Sequence, residues 1–355
     1  MRIEGPLPPA DLEHVRLGVE ALWPDLKGAR IFITGGTGFF GRWLIESLLS
    51  ANMRYDLGVR AVVLSRNPDS FLEAEPHLAG SGLRWLTGSV MTLEPQAVDG
   101  EKFDMVIHLA TESDMQATQL NPQAAVDVIT DGTRRVLEVA ARTGARRFLF
   151  TSSGAIYGPQ PPEMERISES YDGRYDPSDT ASQYALAGEA KRQAELLCAK
   201  HAMRDGFGAV IARCFTFAGP GLPIGSKFAF GNFLRDALAG SPIVIRGDGT
   251  PIRSYLYAAD LAIWLWTLLL RGTPEGAYNV GSEYPVSLRH LAEIMANDLG
   301  ANGIEVLKEP KADGAHNRYV PSTKRARDEL GLRESFNLRE IVQRTAAWHR
   351  AAVKH

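Results

Sequence analysis

Residues 31–41 read IFITGGTGFFG: the apolar run Ile31, Phe32, Ile33 ends in glycines at 35, 36, 38 and 41. The segment RWLIESLLSAN follows at once with the apolar spacing of an amphipathic helix. Strand, glycine turn and helix in that order set backbone N–H groups and a helix N-terminus against an anion, above all a dinucleotide pyrophosphate. In this reading side chains at Gly35 and Gly38 would block the ligand, and one at Gly41 would push the helix off the strand. Thr37, Phe39 and Phe40 complete the candidate dinucleotide contacts in the turn. Three glycines alone are a weak signal, and the flanking strand and helix supply the context the motif requires.

The end of the next apolar run bears on which dinucleotide is bound. NAD-binding sheets commonly place an acid there for the ribose 2′-hydroxyl. This chain reads AVVLSRNPDS and puts Ser65 and Arg66 at that point. An arginine suits a 2′-phosphate, so the reading favours NADP over NAD; the plain alternative is a solvated loop arginine.

The elements that position these residues alternate. Strands are expected at 30–34, 60–64, 104–109, 147–152 and 209–214, and helices at 40–52, 122–143 and 183–204. Such alternation predicts an α/β fold with parallel strands joined by right-handed crossovers, a doubly wound sheet. After Pro220 the spacing turns irregular, with turn signals at GDGTP and VGSEYP, which predicts a smaller lobe. The expected division is a helical extension over 1–28, a dinucleotide-binding domain over 29–216, and a mainly substrate-binding lobe over 217–355, with interleaving of segments allowed. Residues 8–27 read as one additional helix.

With 355 residues, 45% of them apolar and 23% charged, the composition is that of a globular protein. A net charge of −3 offers no electrostatic footprint for nucleic acid or an anionic membrane. The run LAIWLWTLLL is about half the length of a bilayer crossing and reads as a buried helix. Residues 1–28 lack the order of a secretory signal. Cys198 and Cys214 lie in apolar surroundings and read as core thiols of a reducing, cytoplasmic compartment rather than a disulfide or metal pair. No metal-ligand set is expected.

Further motifs read FTSSGAIYG at 150–158, YALAGEAKRQAE at 184–195, HLATES at 108–113, RCFTFAGPG at 213–221 and RSYLYAAD at 253–260. Together with the glycine turn they resemble the extended short-chain dehydrogenase/reductase family, in its nucleotide-sugar epimerase and dehydratase group, over residues 29–330. The resemblance implies a Rossmann-type sheet with a smaller C-terminal α/β substrate lobe, and Leu109, Ala110 and Lys191 among the cofactor contacts. It also implies a Ser/Thr, a Tyr and a Lys that exchange a proton with a sugar hydroxyl while a hydride passes to or from nicotinamide. Ser153 and Lys191 match two of the three. A helical spacing of four would put the Tyr on the face of the Lys, and that position is Ala187. Three readings stand: an engineered replacement of Tyr, transfer of the role to Tyr184 one turn earlier, or a natural loss of redox chemistry.

The residues after Ser153 select among reactions. Dehydrating members carry an Asp-Glu pair there, decarboxylating members keep the Glu, and 3,5-epimerising members place a Cys. Here stand Gly154 and Ala155. Hydride chemistry at C4 remains, as in a 4-epimerase or 4-ketosugar reductase. The Glu112-Ser113 pair resembles the dehydratases, so a 4,6-dehydratase is the alternative, and a catalytically silent nucleotide-sugar-binding protein is the alternative from another class. Arg253 matches the arginine that pairs with the substrate pyrophosphate, Arg318 resembles a second, and Thr216 stands where the family has Asn. Family members pair through helices corresponding to 122–143 and 183–204, so a homodimer is expected, with Val126, Val136, Val139, Leu196 and Leu197 facing the partner.

Overall fold

Apolar runs bounded by turn residues become the strands of one parallel sheet. The computed structural model describes residues 5–80, 82–111, 121–176, 178, 182, 184–225, 228–309 and 317–352. Strands β1 (Arg30–Thr34), β2 (Arg60–Ser65), β3 (Leu83–Thr87), β4 (Met105–His108), β5 (Arg147–Ser153), β6 (Gly208–Cys214) and β7 (Ala277–Val280) form the sheet. Their spatial order is β3-β2-β1-β4-β5-β6-β7, parallel throughout, as in Rossmann-type sheets.

Alternate residues of each strand are buried on opposite faces. Ile31 and Ile33 enter one core and Phe32 the other; Leu149 and Phe148 divide in the same way. Burial on both sides is why these strands read as nearly continuous apolar runs. One face is covered by α4 (Pro122–Thr143) and α5 (Ala185–Asp205), which contribute Ile129, Val136, Ala194 and Cys198. The other is covered by α2 (Phe39–Tyr55) and α7 (Ala258–Arg271), through Trp43, Ile45, Leu261 and Leu265. The remaining helices are α1 (Pro9–Gly18), α3 (Pro68–Ala74), α6 (Ala229–Leu238), α8 (Leu288–Leu299), α9 (Lys324–Leu330) and α10 (Leu338–Ala352).

Several expectations need correction. The single helix expected over 8–27 is broken: α1 ends at Gly18, and residues 20–26 continue as 3₁₀ turns through Pro24. A Cβ on Gly18 would lie 2.4 Å from Ile263, so the break lets the segment sit against α7. Strands β3 and β7 and helix α3 were not anticipated. Strand β3 lies at the sheet edge with half-exposed residues, which gives it no clean apolar signature. Val136 and Val139 are fully buried and face the protein's own core rather than a partner.

The first and last segments are built into the body of the protein. Asp11 is buried, accepts a hydrogen bond from the Tyr257 hydroxyl (2.6 Å) and pairs with Arg344 (2.8 Å). Arg42 of α2 bridges Glu46 (2.8 Å) and Glu75 (2.7 Å), and Glu46 accepts from the Leu7 N–H (2.8 Å). Strand β7 and helix α7, both from the second half of the chain, complete the sheet's edge and one of its covering layers. No helix among the described residues is long and apolar enough to cross a membrane. Cys198 and Cys214 are buried and free.

Candidate functional site

Strand β1 lies between β2 and β4, so the connections leave it on opposite sides and open a crevice at its carboxyl end. The glycine turn crosses this crevice. Gly35 has φ +72°, and a Cβ there would lie 2.7 Å from the Ala110 nitrogen. A Cβ on Gly36 would meet Val63 at 2.4 Å, and one on Gly41 would lie 2.4 Å from the Gly35 carbonyl oxygen. The protein's own packing therefore demands these three glycines. Gly38 differs: it is exposed, has ordinary extended φ and ψ, and its nearest neighbour to a Cβ would be the Gly35 oxygen at 3.3 Å. No side chain caps α2 at Gly38, so its first-turn N–H groups point into the crevice. An open cradle at a bare helix N-terminus fits a dinucleotide pyrophosphate.

Thr37, Phe39 and Phe40 are half-buried around the cradle, and Phe40 packs edge-on against Phe217 at 5.0 Å. Leu109 and Ala110 follow β4, and their N–H groups bond the Thr34 carbonyl (3.1 Å) and hydroxyl (3.3 Å). Ser65 is buried at the end of β2, and Arg66 next to it is exposed.

Strand β5 and helix α5 bring Ser153 and Lys191 to the same end of the sheet. The Lys191 ammonium is buried, donates to the Thr151 carbonyl (2.8 Å) and lies 4.6 Å from the Phe150 ring centroid. Burial lowers its pKa to about 8, against the opposing pull of the Glu195 carboxylate. The Ser153 hydroxyl accepts from the Ala155 N–H (3.1 Å). Ala187 lies one turn before Lys191, half-buried against the core under α5. Tyr184 is the residue preceding α5 and is 50% exposed.

A buried polar chain that the sequence reading missed runs beneath these groups. Ser152 donates to Glu195 (2.5 Å), Glu195 pairs with Arg213 (2.8 Å), and Arg213 donates to Tyr157 (2.8 Å), which donates to Asn279 (2.8 Å). Burial opposes the Arg213 charge, but the Glu195 carboxylate outweighs it and raises the pKa. Burial likewise pushes the Tyr157 phenol up to about 12. The arginine was legible only as part of RCFTFAGPG, with nothing local to mark its partner 18 residues away.

The second half supplies the facing wall. Arg253 donates to the carbonyls of Ile252 and Asn317 (2.8 Å each), and Arg318 donates to the Glu165 carbonyl (3.3 Å). A bridge between Ile252 and Arg318 brings the two arginines onto one short ribbon. Thr216 donates its hydroxyl to the Ser254 carbonyl, so that hydroxyl hydrogen is already committed. Tyr319, next to Arg318, stacks its ring on Phe215 (centroids 4.6 Å apart) and sets its hydroxyl against Gly154, the residue after Ser153; the sequence reading did not anticipate it. Glu112 and Ser113 lie outside the described residues. No cluster able to hold a metal ion occurs among the described residues.

Comparison with known proteins agrees with this geometry. The family described as NAD dependent epimerase/dehydratase matches residues 31–281. A UDP-glucuronic acid decarboxylase of Arabidopsis thaliana is 29% identical over 90% of this chain and 69% of its own length. A dTDP-glucose 4,6-dehydratase of Streptomyces griseus is 25% identical over 90% of this chain and 93% of its own. The crystal structure of a UDP-glucose 4-epimerase from Thermotoga maritima shares the fold, with a TM-score of 0.77 at 19% identity, covering 91% of this chain and 99% of that one.

The Gly38 geometry yields a direct test. In Gly38→Val the Cβ meets only the Gly35 oxygen, at 3.3 Å, which must give by a few tenths of an ångström, and the side chain projects into the cradle. Cofactor affinity should drop at least about tenfold, a difference of roughly 1.4 kcal/mol, while the melting midpoint of the cofactor-free protein stays near wild type. Unchanged affinity by calorimetry in a folded variant would remove the dinucleotide from this turn.

Proposed function

This chain belongs to the NAD dependent epimerase/dehydratase family, and from that premise we propose that it performs hydride chemistry at C4 of a nucleotide-activated sugar, as a 4-epimerase or 4-ketosugar reductase. A bound nicotinamide dinucleotide supplies hydride transfer. The chain's own residues do the remaining work. The glycine turn and α2 hold the pyrophosphate, Lys191 donates to the adjoining ribose, and Ser153 holds the reacting sugar oxygen. Arg253 and Arg318 offer guanidinium donors to the sugar diphosphate.

The observation that carries this reading is the space after Ser153. A Cβ on Gly154 would lie 2.6 Å from the Tyr319 hydroxyl and 2.7 Å from the Phe215 ring, so an aspartate there would clash. Elimination of water across C5 and C6 needs an acid for the leaving hydroxyl, and neither Gly154 nor Ala155 provides one. Mass analysis of sugar nucleotides incubated with the protein and both dinucleotides tests this. A 4-epimerase leaves the mass unchanged and a reductase adds two hydrogens. Loss of water would indicate the dehydratase reading, and loss of carbon dioxide the chemistry of the decarboxylase relatives; either refutes the proposal. Ala187 favours the silent-binder reading, which requires that no product form.

The exposed Arg66 after β2, with no acid beside it, supports NADP as the preferred dinucleotide. A charge-assisted contact to a 2′-phosphate contributes about 1.5–3 kcal/mol, or roughly tenfold to a hundredfold in affinity. NADP(H) should therefore bind more tightly than NAD(H), and Arg66→Ala should narrow the gap. Equal affinities in the wild-type protein are incompatible with this preference.

The outer faces of α4 and α5 support a symmetric homodimer. Leu186 and Leu196 are more than half exposed, and with Val126 they line one shallow groove; Leu197 packs inward. A self-complementary apolar patch of this kind suits a two-fold interface. Light scattering at micromolar concentration should give twice the chain mass, and Leu196→Glu should halve it. A monomeric wild-type protein would contradict the assignment. The two buried free thiols support a cytoplasmic location.

A further inference from the structure

We propose that the phenol of Tyr319 is the acid–base group of this site, filling from the C-terminal half the role that Ala187 leaves open. The inference rests on the C4 reading above. The missing side chain at 154 creates the space, and the Tyr319 hydroxyl occupies it, 2.6 Å from where a Cβ would stand. That places the hydroxyl against the residue after Ser153, on the floor formed by Gly154 and Phe215, and the Ser153 side chain acts on it in the sense that favours the phenolate.

The segment carrying Tyr319 is fixed on both sides. The Tyr319 N–H bonds the Ile252 carbonyl (3.0 Å) and the Ile252 N–H bonds the Asn317 carbonyl (2.9 Å). The Val320 N–H bonds the Gln160 side chain (3.0 Å), and the Val320 carbonyl accepts from Ile167 (2.9 Å). The ring itself packs on Phe215 with centroids 4.6 Å apart. Burial raises the Tyr319 pKa, while Ser153 and Arg253 pull it back. The group is therefore protonated at neutral pH, and the positive charge of a bound oxidised nicotinamide is needed to lower its pKa before the phenolate can form.

The step balances as follows. As the sugar carbonyl carbon gains a hydride from the reduced dinucleotide, the proton joining its oxygen comes from the Tyr319 hydroxyl. Once that proton has moved to the sugar oxygen, the phenolate accepts the single Ser153 hydroxyl hydrogen that held the oxygen before. In the oxidative direction the substrate O–H bond breaks, its proton passes to that phenolate, and the C–H electron pair leaves with the hydride to the oxidised dinucleotide.

Two measurements on the full chain test the proposal. The first follows tyrosine ring carbons by NMR across a pH series, the Tyr319 signal being the one absent from Tyr319→Phe. Adding NAD+ alone should lower its titration midpoint, because the nicotinamide cation arrives beside it, and Ser153→Ala should raise it. A midpoint moved by neither overturns the proposal. The second uses whichever sugar nucleotide the product analysis finds to be turned over. Tyr319→Phe should lower kcat by about 10²–10⁴-fold with little change in KM. Adding Ala187→Tyr to that variant should restore turnover by returning a phenol one helical turn from Lys191. Wild-type kcat in Tyr319→Phe, or an equivalent loss in Tyr184→Phe alone or in Tyr175→Phe, whose ring packs on Gly188 of α5, assigns the acid elsewhere and overturns the proposal. Activity in Ala187→Tyr but none in the wild-type protein leaves the C4 reading standing and removes Tyr319 from it. If neither protein turns over a sugar nucleotide, the C4 reading falls, and the titration decides whether Tyr319 belongs to the site.

Discussion

Everything at this site depends on how closely the turn after β1 is pressed against its surroundings. Gly41 and Gly36 approach so tightly that a Cβ on the first would lie 2.4 Å from the Cα of the second. That contact lets α2 start directly over the end of β1, with its uncapped N–H groups at the crevice. Gly35 makes the matching approach to Ala110, which brings the end of β4 to the opposite edge of the opening. A side chain at any of these positions would tilt the helix or spread the strands. The cradle would then lose the alignment of backbone dipoles that suits an anion.

A second constraint is the cost of holding charge in a dry place. Lys191 is buried, yet with a pKa near 8 it is mostly protonated at neutral pH. The Thr151 carbonyl and the Phe150 ring compensate part of its lost hydration. An ammonium has three donors, and the carbonyl takes one. The thiols nearby add no charge of their own, because burial pushes Cys214 up to about 12 and Cys198 higher still. The Glu195–Arg213 pair below is a closed unit whose partners satisfy one another. Lys191 is thus the cation placed to act on bound groups, while Arg213 braces the floor.

What the sequence revealed follows the range of the interactions involved. The glycine turn, the central strands and helices α2, α4 and α5 are written in local spacing, and each lies within a few residues of its expected bounds. Edge strand β3 escaped because its residues are only half covered, and β7 because it is a run of four residues. Leucines and valines on α4 announced an apolar helix but not which side had a partner, so Val136 and Val139 were misplaced. Ser153 and Lys191 stood out because their neighbours form a family motif. Tyr319 did not, since its relation to Ser153 spans 166 residues and no local pattern records it.

The ribbon formed by residues 252–253 and 317–320 then ties recognition to chemistry. Arg253 donates to the Ile252 and Asn317 carbonyls, which fixes its guanidinium while leaving other donors of its five free to face an anion. Arg318 and Tyr319 alternate along the same strand, so their side chains leave on opposite sides. One side meets the floor at Ser153 and Phe215, and the other meets the carbonyl of Glu165. Any shift of this ribbon moves the phenol and both arginines together. If the arginines take up a sugar diphosphate as proposed, the same contact also sets the distance between the phenol and the sugar oxygen. In such an arrangement binding energy gathered at the phosphates, far from the reacting carbon, contributes to positioning the proton.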